Sequence, residues 1–397
     1  MGWLGLDDTD HLGGGCTTKT LDDLILGLPE NVSVGELRLV RLWPFAKQRT
    51  RGNAAVAVQL NTENENDLLV HLDDWWNEKI KPMQGKITDS VDYDRPQFAT
   101  DPGMVWFSEK KPDDTFYFDA VRREVRLSEI PNAEKSWGGH GRIGATAAVA
   151  WNKSKVTYEA IAWRKQNDMP KRNSRLIDSN RLQEIDELKD TFMSRDSRTG
   201  NSLIAPRGPC PVLFGVRATT FESAHNSAQY LIDSKQTEPV SGMRVFVTNQ
   251  ASDDHLEDNL NDKIVETEIL SRGTVVIKCI NHNLLAFAES GDIKLLAQWL
   301  VKGDEIEFNG LTNTDGYIHL ERLKIINSKP NKVRPKCEKC DVRMKSMGKN
   351  QPVRCPKCRI KSEILWIDEV RKPPYETWVQ APLDSRRHLT KPLEWND

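Results

Sequence analysis

The chain opens on a short apolar run, residues 2–6, that reads as a strand ending at Asp7. Three glycines, Gly13, Gly14 and Gly15, then form a loop, and Thr17–Leu26 has the spacing of a helix. Residues 34–43 and 53–60 read as two further strands. In the second of these, Ala54, Val56 and Val58 alternate with Ala55 and Ala57, which predicts a strand covered on both faces. The segment 63–76 begins polar and turns helical, and short elements follow at 105–107, 115–118 and 122–127. Gly138, Gly139, Gly141 and Gly144 make a glycine-rich turn into a helix over 145–151, and a second helix is expected at 157–164. Residues 171–196 are highly charged and read as surface or linker, and 210–217 as a strand.

From residue 269 the texture changes. Short strands are expected at 274–278, 284–287, 305–309 and 318–325, with one helical patch at 293–300 and glycines between them. Several short strands around a single helix suit a small barrel of the OB type, or another small β domain. After Lys372 the chain is rich in Pro, Arg and Trp and has no clear period.

With 397 residues the chain has room for two to four domains, and 38% hydrophobic with 29% charged residues is ordinary for a globular protein. No run of about 20 apolar residues suggests a membrane span, and the first residues lack the pattern of a secretory signal. A cytoplasmic protein is therefore expected. The net charge is only −2, so its distribution matters more than its sum. Between Lys332 and Lys361 eleven Lys and Arg face two acidic residues, whereas 253–268 is acidic. The basic stretch suits a polyanion, and equally a solvated surface.

Four of the seven cysteines, Cys337, Cys340, Cys355 and Cys358, form two CxxC pairs separated by fourteen residues. Two knuckle turns folded together offer four thiolates to one tetrahedral ion, which is the chemistry of structural zinc. The remaining three cysteines are isolated, as in a reducing compartment. Around the cysteines, Lys336, Lys339, Arg343, Lys345, Arg354, Lys357 and Arg359 would decorate a small rigid knob able to meet RNA phosphates.

Asp7, Asp8 and Asp10 stand where the first strand meets the glycine loop. Carboxylates fanned from a strand end can hold Mg²⁺ together with substrate phosphates. Backbone N–H groups of Gly13, Gly14 and Gly15, the start of the helix at Thr17 and Thr18, and Lys19 would then face nucleotide phosphates. The plain alternative is an Asp-rich turn with a Thr cap. A Walker A loop is absent. The loop SWGGHGRIGA, residues 136–145, admits two readings. Gly141 and Arg142 approach a nucleotide, or the small residues serve tight helix packing. Lys47, Arg49 and Arg51 make a basic turn that either touches RNA backbone or is merely solvated.

Taken together, LGLDDTD with GGCTT (4–18), KQRTRGNAAVAV (47–58), TDPGMV (100–105), GRIGATAAVAW (141–151), TYEAIAWR (157–164), GPCPVLFGVR (208–217) and TNQASDDHL (248–256) resemble the archaeal tRNA(Ile) 2-agmatinylcytidine synthetases. The likeness covers nearly the whole chain. It implies an α+β multidomain fold: a kinase-like α/β catalytic region (1–200), a ferredoxin-like region (201–267), an OB barrel (268–328), a zinc ribbon (329–371) and a tail (372–397). It also implies ATP, Mg²⁺ and Zn²⁺ as cofactors, and agmatine and the CAU-anticodon isoleucine tRNA as substrates. In that chemistry ATP phosphorylates the C2 oxygen of the wobble cytidine, and the primary amine of agmatine displaces phosphate. Asp7, Asp8 and Asp10 match the family's metal and catalytic aspartates, and Thr17 or Thr18, with Thr17 preferred, matches its autophosphorylated threonine. For the agmatine pocket, Glu159 and Asp178 both offer an acid. Cys210 departs from the family, which commonly carries an acidic residue there. The rival readings are an RNA-binding module without catalysis, which leaves DDTD and GGCTT unexplained, and another ATP-dependent RNA-processing enzyme. A KxDG nucleophile motif is absent.

Overall fold

The computed structural model describes residues 1–11, 13–49, 52–87, 98–165, 175–196, 198–206, 208–349 and 351–395. It separates into two compact units, residues 1–256 with 386–397, and residues 257–385.

The first unit is built on one eight-stranded sheet. In chain order its elements are β1 (Gly2–Asp7), α1 (Thr17–Leu26), β2 (Ser33–Arg41), β3 (Ala54–Asn61), α2 (Glu65–Trp75), β4 (Gly103–Phe107), α3 (Asp114–Arg122), β5 (Lys135–Gly138), α4 (Arg142–Ala150), β6 (Thr157–Arg164), α5 (Ser179–Asp186), β7 (Val212–Ala218), α6 (Phe221–Ile232) and β8 (Val240–Thr248). The strand order is β5-β4-β1-β3-β2-β8-β6-β7. Every pair is antiparallel except β8 with β2. The expected division at residue 200 does not coincide with a break, because β6, β7 and β8 are neighbours in this same sheet.

Both faces of the sheet are covered, as the alternation in β3 requires. Val56 and Val58 join Leu21, Leu24, Leu68 and Leu72 from α1 and α2 in one core. Ala55 and Ala57 join Tyr117, Val121 and the alanines of α4 in another. The small residues of α4 let it lie directly on β1, where a Cβ on Gly5 would come within 2.2 Å of the Ala145 carbonyl oxygen. The helix expected at 157–164 is instead strand β6, paired with β8 and β7. It is buried almost throughout, so its sequence carries no polar alternation to mark it as a strand. Part of the charged segment 171–196 forms α5, which buries Leu182 and Ile185; residues 171–174 lie outside the described residues.

In the second unit, strands Leu260–Ile269, Val275–Cys279, Asn283–Ala286, Glu305–Thr312 and Tyr317–Asn327 close into a five-stranded barrel. Closure comes from the parallel pairing of Asn283–Leu285 with Tyr317–His319. The helix Asp292–Trp299 adds Ile293, Leu296 and Ala297 to the barrel core. This is the expected OB-type barrel, but it starts at Leu260 and not at 268. Only Asp262 and Ile264 of the first strand are buried, and its exposed Glu and Lys residues hid it within the acidic stretch 253–268, which the expectation gave to the ferredoxin-like region up to 267. The expected tail is also structured: Val379–Gln380 adds a strand beside Tyr317–Asn327, and residues 386–397 return to the first unit. There Ala251 and Asp253 donate N–H bonds to the carbonyls of His388 and Leu389 (2.8 and 2.9 Å), and Leu389 is buried in the α3–α4 core.

Candidate active site and metal centre

The end of β1 supplies the first part of the site. Asp8 takes a left-handed backbone, φ 58°, which Asp tolerates better than most residues. Its N–H donates to Asp7 Oδ1 (2.7 Å), and its Oδ2 accepts the Asp101 N–H (2.7 Å). The Asp101 carboxylate in turn accepts the His140 N–H at 2.7 Å, so the acidic turn and the glycine loop are tied together through one residue, Asp101. The loop fits so closely that a Cβ on Gly144 would lie 1.9 Å from Asp7 Oδ2, and one on Gly139 would lie 2.1 Å from Asp101. These glycines are packing devices, and His140, Gly141 and Gly144 also line a cleft with Asp7, Asp8 and Asp10. Arg142 is not among the residues lining that cleft, and its Nε donates to the Gly139 carbonyl (3.1 Å).

Burial, followed by the charges of Asp8 and Asp10, raises the Asp7 carboxyl well above its ordinary value. Three acids gathered on one cleft repel one another, and a divalent cation would relieve that repulsion. The three carboxylates do not form a ready cage. Among the described residues, the four cysteines are the set of three or more potential ligands with atoms within 4.8 Å of one another. The acidic cleft thus fits Mg²⁺, which takes one or two carboxylates and completes its shell with water and substrate phosphates.

A second cleft opens next to the first and shares Asp10, Arg49 and Gly52 with it. Cys16, Thr17 and Thr18 at the start of α1 line it, together with Arg41, Glu159, Cys210, Arg217 and His388. The Thr18 hydroxyl accepts from Trp163 Nε1 (3.2 Å) and lies 3.0 Å from Cys16 Sγ. Glu159 is clasped by Arg41 (3.3 Å), Arg217 (3.5 Å) and Gln250 (2.7 Å). Burial opposes its ionisation, but Arg217 and Arg41 hold it below the usual carboxylate range. Burial, then Arg41 and Arg217, depresses His388 well below the usual imidazole value and keeps it neutral. Asp178, the other acid considered for agmatine, lines none of these clefts and caps α5 by accepting the Asn180 and Arg181 N–H groups.

Gly13, Gly14, Gly15 and Lys19 line a third cleft, which shares Cys16 and Cys210 with the second. Lys19 pairs there with Asp22 (3.0 Å) and Asp23. The three clefts therefore run in sequence, joined by Asp10 and then by Cys16. Arg49 reaches the first two and bonds the Ala46 carbonyl (2.8 Å). Lys47 is exposed, and Arg51 lies outside the described residues. The sequence reading missed Arg41, Arg217 and His388. The available signal was an arginine ending each of two apolar strands, LRLVR and VLFGVR.

In the second unit, the Sγ atoms of Cys337, Cys340, Cys355 and Cys358 lie within 4.8 Å of one another. Both knuckles turn through a left-handed residue, Asp341 (φ 49°) and Arg359 (φ 67°). The N–H groups of Lys357 and Cys358 point at Cys355 Sγ, each at 3.4 Å. Four converging sulfurs with N–H support fit a closed, structural zinc site. Lys336, Lys339 and Lys357 are exposed and Arg354 is half-buried. Lys336 pairs with Asp341 (3.1 Å), and Arg343 is committed to the Arg334 carbonyl (2.9 Å) and Glu369.

A carboxylate cleft on a twisted sheet, a closed OB-type barrel and a four-cysteine ribbon on one chain define a nucleotide-using enzyme that acts on RNA. The TiaS TCKD domain matches residues 3–141, the TiaS FLD domain 139–255 and the TiaS C-terminal zinc ribbon domain 334–370. The first two models meet near residue 140, where the expectation put the division at 200. The isoleucine-tRNA 2-agmatinylcytidine synthetase TiaS of Pyrobaculum neutrophilum is 30% identical over 98% of this chain and 94% of its own. That of Archaeoglobus fulgidus is 29% identical over 98% and 96%. The crystal structure of a TiaS in complex with its isoleucine tRNA and ATP is 26% identical, with a TM-score of 0.81, over 99% of this chain and 97% of that one. The chain belongs to the TiaS family of isoleucine-tRNA 2-agmatinylcytidine synthetases. Among the described residues, no helix is long and apolar enough to cross a membrane.

Proposed function

We propose that the chain attaches agmatine to C2 of the wobble cytidine of the CAU-anticodon isoleucine tRNA: ATP phosphorylates the C2 oxygen, the amine of agmatine displaces that group as phosphate, and water cleaves the remaining phosphoanhydride bond, so that AMP and two phosphates are the other products. The observation that carries this reading is the junction of two clefts at Asp10, with Asp7 and Asp8 on one side and Thr17 and Thr18 on the other. The cytosine C2 oxygen is a poor leaving group, so an amine needs it phosphorylated first. Asp7, Asp8 and Asp10 would hold Mg²⁺ with the ATP phosphates, and the bound ion would neutralise charge on the transferred phosphoryl group. Gly144 leaves the space that Asp7 needs, and Asp101 fixes Asp8. Gly13, Gly14 and Gly15 line the third cleft with Lys19 and would border the nucleotide phosphates there. Gly141 closes the first cleft against β1.

Of the two threonines, Thr18 is held by Trp163 and Cys16, so Thr17 is the better phosphoryl acceptor. A wobble base in a single-stranded loop leaves its stack cheaply and can enter a cleft. Lys47 and Arg49 would steady the RNA backbone near the clefts. Lys336, Lys339, Arg354 and Lys357 would meet RNA phosphates from the zinc-held ribbon, while Arg343 mainly braces that ribbon. None of the seven cysteines is joined in a disulfide, which fits the cytoplasm.

The test is incubation with this tRNA, ATP, Mg²⁺ and labelled agmatine. Label should appear at the wobble cytidine and disappear with Asp7→Ala. No incorporation into a competent transcript, or full turnover by Asp7→Ala, would refute the reading.

A further inference from the structure

Around Glu159, the second cleft sets two guanidinium groups against one carboxylate. We propose that Arg41 and Arg217 form a seat for a phosphate dianion there, with Glu159 gripping both guanidinium groups from behind. Three observations meet at this place. Arg217 is 5% exposed, yet its Nε, 3.5 Å from the Glu159 carboxylate, makes no hydrogen bond. Arg41 Nε and His388 Nδ1 are likewise buried without hydrogen-bond partners, on the same cavity wall. Two guanidinium groups face the single carboxylate of Glu159, and a Cβ on Gly215 would fall 2.4 Å from that carboxylate, so the acid cannot be joined by a bulkier neighbour.

Buried charged donors without partners are costly, and they persist where a ligand completes them. A planar guanidinium matches the oxygen pairs of phosphate, and two of them around one anion make a clamp. A carboxylate already shared between two guanidinium groups is a poor partner for a cation. Glu159 is therefore no recognition group for the guanidinium end of agmatine, although it is the one acid of the two considered that reaches the clefts. The choice of phosphate rests on the phosphoryl chemistry of the proposed function, since Thr17 and Thr18 line the same cavity. The phosphoryl group could arrive free, or attached to one of those threonines.

The probe is inorganic phosphate, titrated calorimetrically into the full-length, zinc-loaded protein. Saturable binding at one site is expected, weakened at least tenfold in Arg217→Gln. In Glu159→Gln, which removes the competing carboxylate, binding should tighten. A wild-type measurement covers the case in which a variant fails to fold: phosphate, and not agmatine, should slow phenylglyoxal modification of Arg41, read by peptide mass. Protection that outlasts removal of free nucleotide after treatment with ATP and Mg²⁺ assigns the seat to a phosphoryl group on the chain. Protection lost with the free phosphate assigns it to the released product. Absence of saturable phosphate binding, unchanged binding in folded Arg217→Gln, or protection by agmatine in place of phosphate would overturn the proposal. None of these outcomes depends on agmatine incorporation, so the two readings fail separately.

Discussion

Asp7 concentrates the chemistry and the strain of the acidic turn. Its folded pKa lies above the ordinary 3.8, because of burial and the neighbouring Asp8 and Asp10. Folding therefore favours its protonated form. The stability this contributes is fully present below 3.8 and is lost as pH rises through the raised value. In Mg²⁺-free buffer, with zinc kept in place, the thermal midpoint should fall over that range, Asp7→Asn should flatten the fall, and Mg²⁺ should restore the wild type at neutral pH. Equal slopes in wild type and variant would remove Asp7 as the cause. Gly144 tests the same turn from the other side. Gly144→Ala drives a methyl group into the space of Asp7 Oδ2, 1.9 Å away, and towards Leu42, 2.9 Å away. Overpacking of this kind costs about 1–3 kcal/mol. A carboxylate displaced by about 1 Å should also lower turnover by roughly 10²-fold. Urea melts and agmatine incorporation would measure the two effects independently. At this scale the sequence displayed the three aspartates but not their partner Asp101, whose importance comes from contacts over 39 and 93 positions of chain.

Element identity was readable where one face met water and obscure where none did. Helix α1 came out as predicted, from Thr17 to Leu26, because its apolar stripe is one-sided. Strand β6 was mistaken for a helix because six of its last seven residues are buried, Ala160, Ile161, Ala162 and Trp163 among them. The first barrel strand failed for the opposite reason, since only two of its ten residues are buried. Helix α6 escaped notice although it carries a conventional start: the Thr220 hydroxyl accepts the Ser223 N–H at 3.1 Å. Thr220→Ala should cost about 1 kcal/mol through that lost cap. Chemical denaturation should register it as a lower midpoint with an unchanged slope. Because α6 packs on β7 through Ala224, Ala228 and Leu231, a null result would mean that packing alone sets the helix end.

On the scale of the whole molecule, metal and charge act through the second unit. The ribbon has its own small core of Cys337, Met344, Val353 and Cys355, distinct from the barrel core. Four cysteine residues therefore carry most of its order, and zinc removal should unfold residues 334–370 while the barrel persists. Hydrogen exchange before and after chelation would reveal that pattern, and cooperative loss of the barrel would contradict it. Charge reversal at Lys339 or Lys357 should weaken tRNA binding and reduce the dependence of log K on log salt by about one unit of slope per lost phosphate contact. An unchanged slope would place the RNA elsewhere. A different consequence follows from the bonds that Ala251 and Asp253 make to His388 and Leu389. During synthesis the catalytic unit must wait for 129 intervening residues, 257–385, before its last piece emerges. A nascent chain stalled just short of that piece would hold a finished barrel and an open seam beside α3. Small truncations or fusions at this late segment should thus harm ATP chemistry before they harm RNA capture.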